Sequence, residues 1–139
     1  MHTNARNKNA LAALEILLLE GVAPSAITVG HLSDTEDIDY IKEVAVCGCY
    51  IGLDRMYGNT TEEYIGKKLD CINSLCYNGY ADKILLSHDA LFFNGFERVP
   101  SINQKPRFAY IFENILPRLG KDIAEKITVK NPLEMLSLR

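Results

Sequence analysis

The chain has 139 residues, 47% of them hydrophobic and 24% charged, which is room for one domain with a modest core and a poor composition for disorder. Its formal net charge of −3 comes without any run of basic residues, so there is no electrostatic footprint for a nucleic acid or an anionic membrane. The longest apolar stretch, residues 11–19, is interrupted by Glu15 and falls well short of the roughly 20 residues that span a bilayer.

The first residues, His2, Asn4, Arg6, Asn7 and Lys8, are polar and do not form a signal peptide, and the expectation is a cytoplasmic protein. Leu11, Leu14, Leu17 and Leu18 recur at helical spacing and predict a helix over residues 7–20, ended by Gly21. Residues 27–30 form a short apolar, β-branched run that reads as a buried strand. A second helix is predicted over 37–46 from Ile38, Ile41, Val44 and Ala45, ended by Gly48 and followed by a strand over 49–53. A third helix over 62–77, ended by Gly79, precedes a strand over 83–87. After a long loop, 91–105, a helix is predicted over 108–119, broken by Gly120-Lys121-Asp122. Asn131-Pro132 then reads as the cap and first turn of a last short helix ending near Leu136.

Cys47, Cys49, Cys71 and Cys76 are spaced C-x-C and C-x4-C rather than in the C-x2-C pairs usual for structural zinc. They predict free, mostly buried thiols in a reducing compartment.

Helix and strand alternate throughout, and each strand ends on a polar residue. His2, His31, Arg55 and Asp89 follow one another at 29, 24 and 34 residues. A (β/α)8 barrel of about 250 residues averages about 31 per unit and carries its chemistry at the C-terminal ends of its strands. Four such units make half a barrel. An open flavodoxin-like sheet shares the alternation but gives no reason for these four residues at successive strand ends.

Two histidines and an aspartate at a barrel mouth are ligands suited to zinc, or to manganese, cobalt or iron, and a metal there brings the pKa of bound water to about 7. Each residue also has a plain reading. His2 alone is a solvated terminus. Ser33 or Asp34 alone is a helix N-cap. Asp89 alone starts a loop as an Asx turn, and its neighbour His88 reads as a satisfied structural histidine. Asp54-Arg55 alone is a locally paired surface feature.

Together these segments resemble a family. Met1-His2-Thr3-Asn4-Ala5, Gly21-Val22-Ala23-Pro24-Ser25, Gly30-His31-Leu32-Ser33-Asp34-Thr35-Glu36-Asp37, Tyr50-Ile51-Gly52-Leu53-Asp54-Arg55, Asn78-Gly79-Tyr80-Ala81-Asp82-Lys83-Ile84-Leu85-Leu86-Ser87-His88-Asp89 and Ile127-Thr128-Val129-Lys130-Asn131-Pro132 look like the phosphotriesterases of the amidohydrolase superfamily. The likeness covers essentially the whole chain, residues 1–139, as one partial domain. It implies the C-terminal half, strands five to eight, of a TIM (β/α)8 barrel. By the same resemblance His2, His31 and Asp89 are the metal ligands of strands five, six and eight, Asp89 is the proton acceptor, and Asp34 completes the relay leading from it. The phosphotriesterases proper carry histidine where Arg55 stands, whereas the lactonase-like branch has Leu-Asp-Arg. The resemblance therefore implies hydrolysis of lactones, with promiscuous action on phosphotriesters, Arg55 and Tyr57 lining the pocket, and two zinc ions as cofactor.

The family also uses a His-x-His pair on its first strand and a carboxylated lysine on its fourth, and neither occurs here. The expectation is half of an active site. It holds one metal loosely, forms no two-metal clamp within the chain, and is functional when joined to the missing N-terminal half, whereas a homodimer of halves closes a barrel without supplying the missing ligands. The competing expectation is an inactive half-barrel that persists as a structural or interaction module. A doubly wound nucleotide domain would need a glycine-rich loop, and Gly30-His31-Leu32-Ser33-Asp34 offers one glycine and an acidic run. Phe92, Phe93 and Phe96 in the 91–105 loop would suit an apolar acyl tail.

Overall fold

The computed structural model describes residues 1–56, 59–89 and 108–137. Three strands, β1 (Thr28–Val29), β2 (Tyr50–Leu53) and β3 (Ile84–Leu86), form one parallel sheet in the order β1-β2-β3. Thr28 stands opposite Tyr50 and Val29 opposite Ile51, and Ile51, Gly52 and Leu53 face Ile84, Leu85 and Leu86. The strand order follows the chain without reversal, whereas a doubly wound sheet turns back at a switch point. The sheet also begins earlier than β1. The Met1 ammonium donates to the Thr28 carbonyl at 2.6 Å and the Gly30 N–H donates to the Met1 carbonyl at 2.9 Å, the bonding pattern of a parallel ladder. Thr3 Oγ1 adds a bond to the Gly30 carbonyl at 2.6 Å. Residues 1–3 are thus a strand stub beside β1, and His2 lies at a strand end as expected.

The helices between strands are α1 (Ala10–Leu19), α2 (Ile38–Val46) and α3 (Glu62–Tyr77). Val29, Ile51, Leu53 and Ile84 of the sheet pack with Ile41, Val44, Ile65 and Ile72 of the helices in one buried cluster. Gly21, Gly48 and Gly79 end the three helices at φ of 81°, 84° and 87°, the left-handed cap the sequence predicts. The predicted helix over 7–20 starts later. Asn4 accepts from the N–H groups of Arg6 and Asn7 and holds a 3-10 turn, Ala5–Asn7, which Lys8 closes at φ 52°. Asparagine side chains compete here for the N–H groups a helix would leave free. The cap of α2 is neither Ser33 nor Asp34. Asp37 takes that place and accepts from the Tyr40 N–H at 3.0 Å, because Ser33 and Asp34 are engaged elsewhere.

The C-terminal part departs further from expectation. A wide π turn, Ile111–Ile115, runs into a 3-10 turn, Leu116–Arg118. Leu119 and Gly120 are extended and break the helical run there, as the sequence predicts, and Gly120 also caps α4 (Lys121–Glu125); a second π turn, Lys126–Lys130, carries the chain into α5 (Asn131–Leu136). Asn131 is therefore inside a continuous helical run and is no N-cap. The widened turn before Pro132 accommodates a ring that would clash with an α-helical carbonyl four residues back. Buried Asn131 instead donates from Nδ2 to the carbonyls of Ala81 and Ile84, both at 2.8 Å, and fastens the last helix to the start of β3.

All four cysteines are free, but only Cys49 is fully buried; Cys47, Cys71 and Cys76 are half-buried. Among the described residues no helix is long and apolar enough to cross a membrane.

Candidate active site

The residues at the ends of the stub and of the three strands converge. Three of them leave the sheet in the left-handed region, His31 at φ 67°, Arg55 at 59° and Asp89 at 49°. Each such non-glycine residue costs on the order of 1–3 kcal/mol, and such strain concentrates at functional sites. The strands also approach tightly. A Cβ on Gly52 would lie 2.9 Å from the Val29 carbonyl oxygen, and one on Gly30 would lie 3.2 Å from Asp54 Oδ2.

His31 is buried and held by Asp54. Its N–H donates to both carboxylate oxygens at 3.0 Å, and Nδ1 lies 3.0 Å from Oδ1. Since an ionised carboxylate only accepts, Nδ1 carries the proton and the Nε2 lone pair is left available. The exposed His2 ring meets His31 edge-on, with centroids 4.2 Å apart. Ser33 donates to the Asp54 carbonyl and so braces the turn Leu32–Asp34 against the end of β2.

Arg55 joins the other two acids. Its Nε donates to Asp89 Oδ2 at 2.9 Å and its NH1 donates to Asp34 Oδ2. The hydrogen bond to Asp89 first, with Asp34 adding to it, raises the Arg55 pKa further above its already high value, so the cation is permanent. Asp89 Oδ2 stands 3.8 Å from His31 Nδ1, which places the two sets side by side.

The sequence reading of Asp54-Arg55 as a local surface pair is corrected. Asp54 bonds His31 while Arg55, which leaves the strand in the left-handed region, bonds Asp34 and Asp89. Asp54 is the site residue that sequence reasoning missed; the small residues Gly30 and Gly52 beside it were the available signal. His88 stands outside the set, accepting at Nε2 from the Ile111 N–H at 3.2 Å, and burial pushes its pKa down. Tyr57 and the 91–105 loop lie outside the described residues.

His2 and His31 are suitable metal donors, but among the described residues no three His, Cys, Asp or Glu side chains gather into a group that could hold a metal ion. The carboxylate of Asp89 is engaged by Arg55 instead. As arranged within this chain, the donors do not fit a closed metal centre.

Against known proteins, the chain matches the phosphotriesterase family over residues 1–136. It belongs to the phosphotriesterase family. The aryldialkylphosphatase of Saccharolobus solfataricus is 36% identical over 98% of the chain, and the phosphotriesterase homology protein of Mycobacterium tuberculosis is 31% identical over 85%. Among solved structures, the phosphotriesterase of Mycobacterium tuberculosis superposes over 96% of the chain with a TM-score of 0.78 at 27% identity. A variant of the PTE-like lactonase of Deinococcus radiodurans superposes over 93%, also at 0.78, with 26% identity. This phosphotriesterase-family chain spans 46% of the Saccharolobus relative and 44% of each of these two structures, so it is about half their length. Its fold is half of a (β/α)8 barrel, with the three-stranded parallel sheet and the stub in the places of four consecutive strands.

Proposed function

We propose that this chain carries the C-terminal half of the active site of a metal-dependent hydrolase whose principal substrates are lactones, with phosphotriesters as secondary ones. The observation that carries the reading is the Asp34–Arg55–Asp89 bridge beside the Asp54-oriented His31. It assembles an acid–base group, a fixed cation and an oriented imidazole at one mouth.

In this reading His2, His31 and Asp89 are donors to zinc, with manganese, cobalt or iron accepting the same set, and the remaining donors come from a complementary half. Asp89 takes the proton of the attacking water. Arg55 cannot give up a proton and so is no relay itself; it positions Asp89 and Asp34 on one guanidinium, and the proton leaves past Asp34. Arg55, with Tyr57 beside it in sequence, orients the substrate carbonyl. The free thiols and the net charge of −3 without a run of basic residues accord with a cytoplasmic protein that acts on a small molecule.

The second reading, an inactive half-barrel serving as a structural module, draws on the engagement of Asp89 by Arg55. Lactone turnover by the chain complemented with strands one to four of the Saccharolobus relative separates the two. Asp89→Asn should lower that turnover by about 10²–10⁴-fold. Undiminished turnover would remove Asp89 from the chemistry, and no turnover by the complemented wild type would favour the structural module.

A further inference from the structure

A cavity of about 520 Å³ opens between the turn that follows β1 and the face of α3. It shares Asp34 and Arg55 with the site above, yet His2, His31, Asp54 and Asp89 do not line it. Ile38, Leu53 and Met56 give it an apolar wall, and Cys71 and Ser74 of α3 line it too. Pockets of about 300–1,000 Å³ take small molecules, with a few polar groups setting orientation.

Its charges are unevenly satisfied. Asp34 is bonded to Arg55, and Glu36 lies 2.9 Å from Lys67. Lys68 and Arg6, which also line the cavity, have no carboxylate partner among the described residues, and the remaining acid, Asp70, is exposed. The Lys68 ammonium donates to the Ser33 carbonyl at 2.5 Å and lies 5.2 Å from the centre of the Tyr64 ring. An ammonium has three N–H donors, so these two contacts leave capacity for a ligand. Burial pushes the Lys68 pKa down, and the carboxylates around it offset that only in part.

We propose that this cavity binds a small amphipathic monocarboxylate, its carboxylate on the Lys68 ammonium and its chain against Ile38, Leu53 and Met56. One negative charge suits it better than a phosphate dianion, which would face Asp34, Glu36 and Asp70 and leave the apolar wall unused. If the lactonase reading holds, the ligand class is that of the product. Water adds across the lactone ester bond, one of its protons going to the departing ring oxygen to make a hydroxyl and the other being released to solvent, so a neutral substrate becomes a hydroxycarboxylate. The cavity would then favour product over substrate, a consequence that rests on that reading, whereas the binding itself does not.

The test is titration of the 139-residue chain with octanoate and with octanamide, its neutral counterpart, by calorimetry and amide-resolved NMR. Octanoate should bind and octanamide should bind about tenfold more weakly or worse, as loss of a charge-assisted bond implies. Lys68→Met should lose a similar factor, Lys68→Arg should retain most of the affinity, and Lys42→Met, outside the cavity, should change nothing; thermal melts confirm that each variant is folded. The amide shifts should fall near Ile38, Cys71 and Ser74. Absence of octanoate binding, equal binding of octanamide, full affinity in folded Lys68→Met, or shifts confined to His2 and His31 would each overturn the proposal. Octanoate binding without lactone turnover in the complemented enzyme keeps the cavity and removes only its link to the product. Turnover without octanoate binding removes the cavity and keeps the reaction.

Discussion

At the scale of single residues, the site is organised by which charges are held and which are free. Arg55 engages Asp89 and Asp34 with two nitrogens in a planar fork, a geometry that a lysine ammonium does not reproduce. In the function proposed above, removing it should free Asp89 Oδ2 for a metal held beside His2 and His31. Arg55→Met is therefore expected to raise the zinc affinity of the chain by about tenfold, read by calorimetry, as loss of a hydrogen bond to a charged group implies. Unchanged affinity would show that Arg55 does not withhold Asp89. The thiols give a second residue-level expectation. Burial pushes Cys49 and Cys71 up to about 11, so neither is a thiolate at neutral pH. Cys49, the fully buried one, should resist iodoacetamide at pH 7.5 in the folded chain and react once it is unfolded in urea; rapid native labelling of it would contradict the burial. His31, Arg55 and Asp89 were legible as polar residues at successive strand ends. Asp54 was not, because an acid followed by a base reads as a local pair, whereas its partner His31 and the partners of Arg55 are all remote in sequence.

At the scale of elements, polar side chains decide where helices start and how they are fastened. Apolar spacing located α2 and α3, and the glycines located their ends. What spacing cannot show is a competition between side chains for the same backbone groups. Asp37 caps α2 because Ser33 and Asp34 are drawn to Asp54 and Arg55, and those partners are remote in sequence. Asn131 likewise reads as a local cap but serves a distant one, the segment that begins β3. Asn131→Ala should destabilise the chain by about 1–3 kcal/mol, the cost of leaving buried carbonyls without donors; a loss below a few tenths in urea unfolding would contradict that role. Ion pairs add a pH dependence. Lys8 lowers the Asp37 pKa and Arg118 lowers that of Glu62, in both cases chiefly through the hydrogen bond. A depressed carboxyl contributes stability that is present above its unfolded pKa of about 4 and is lost as pH falls through the lower folded value. The melting temperature should therefore drop on acidification below about pH 4, and Asp37→Asn with Glu62→Gln should flatten that drop. An identical acid branch in the double variant would rule these pairs out as its source.

At the scale of the whole molecule, the sheet is open on both sides among the described residues. The stub at residues 1–3 and β3 are its two outer members, and the relatives are about twice as long. Unpaired parallel edges call for further strands. Phe108, Phe112, Leu133 and Leu136 near the C-terminus are also more than 60% exposed, an apolar surface that a neighbour would cover. Helix and strand alternation made the half-barrel legible, since each unit is a local pattern. The pairing within the site was not legible, because it depends on which carboxylates Arg55 takes, and those are remote in sequence. The most direct measurement is lactone turnover in the presence of zinc by the chain alone, by strands one to four of the Saccharolobus relative alone, and by the two together. The account predicts turnover in the mixture and essentially none from either part. Equal turnover by the chain alone, or a folded, zinc-loaded mixture that opens no lactone, would contradict it.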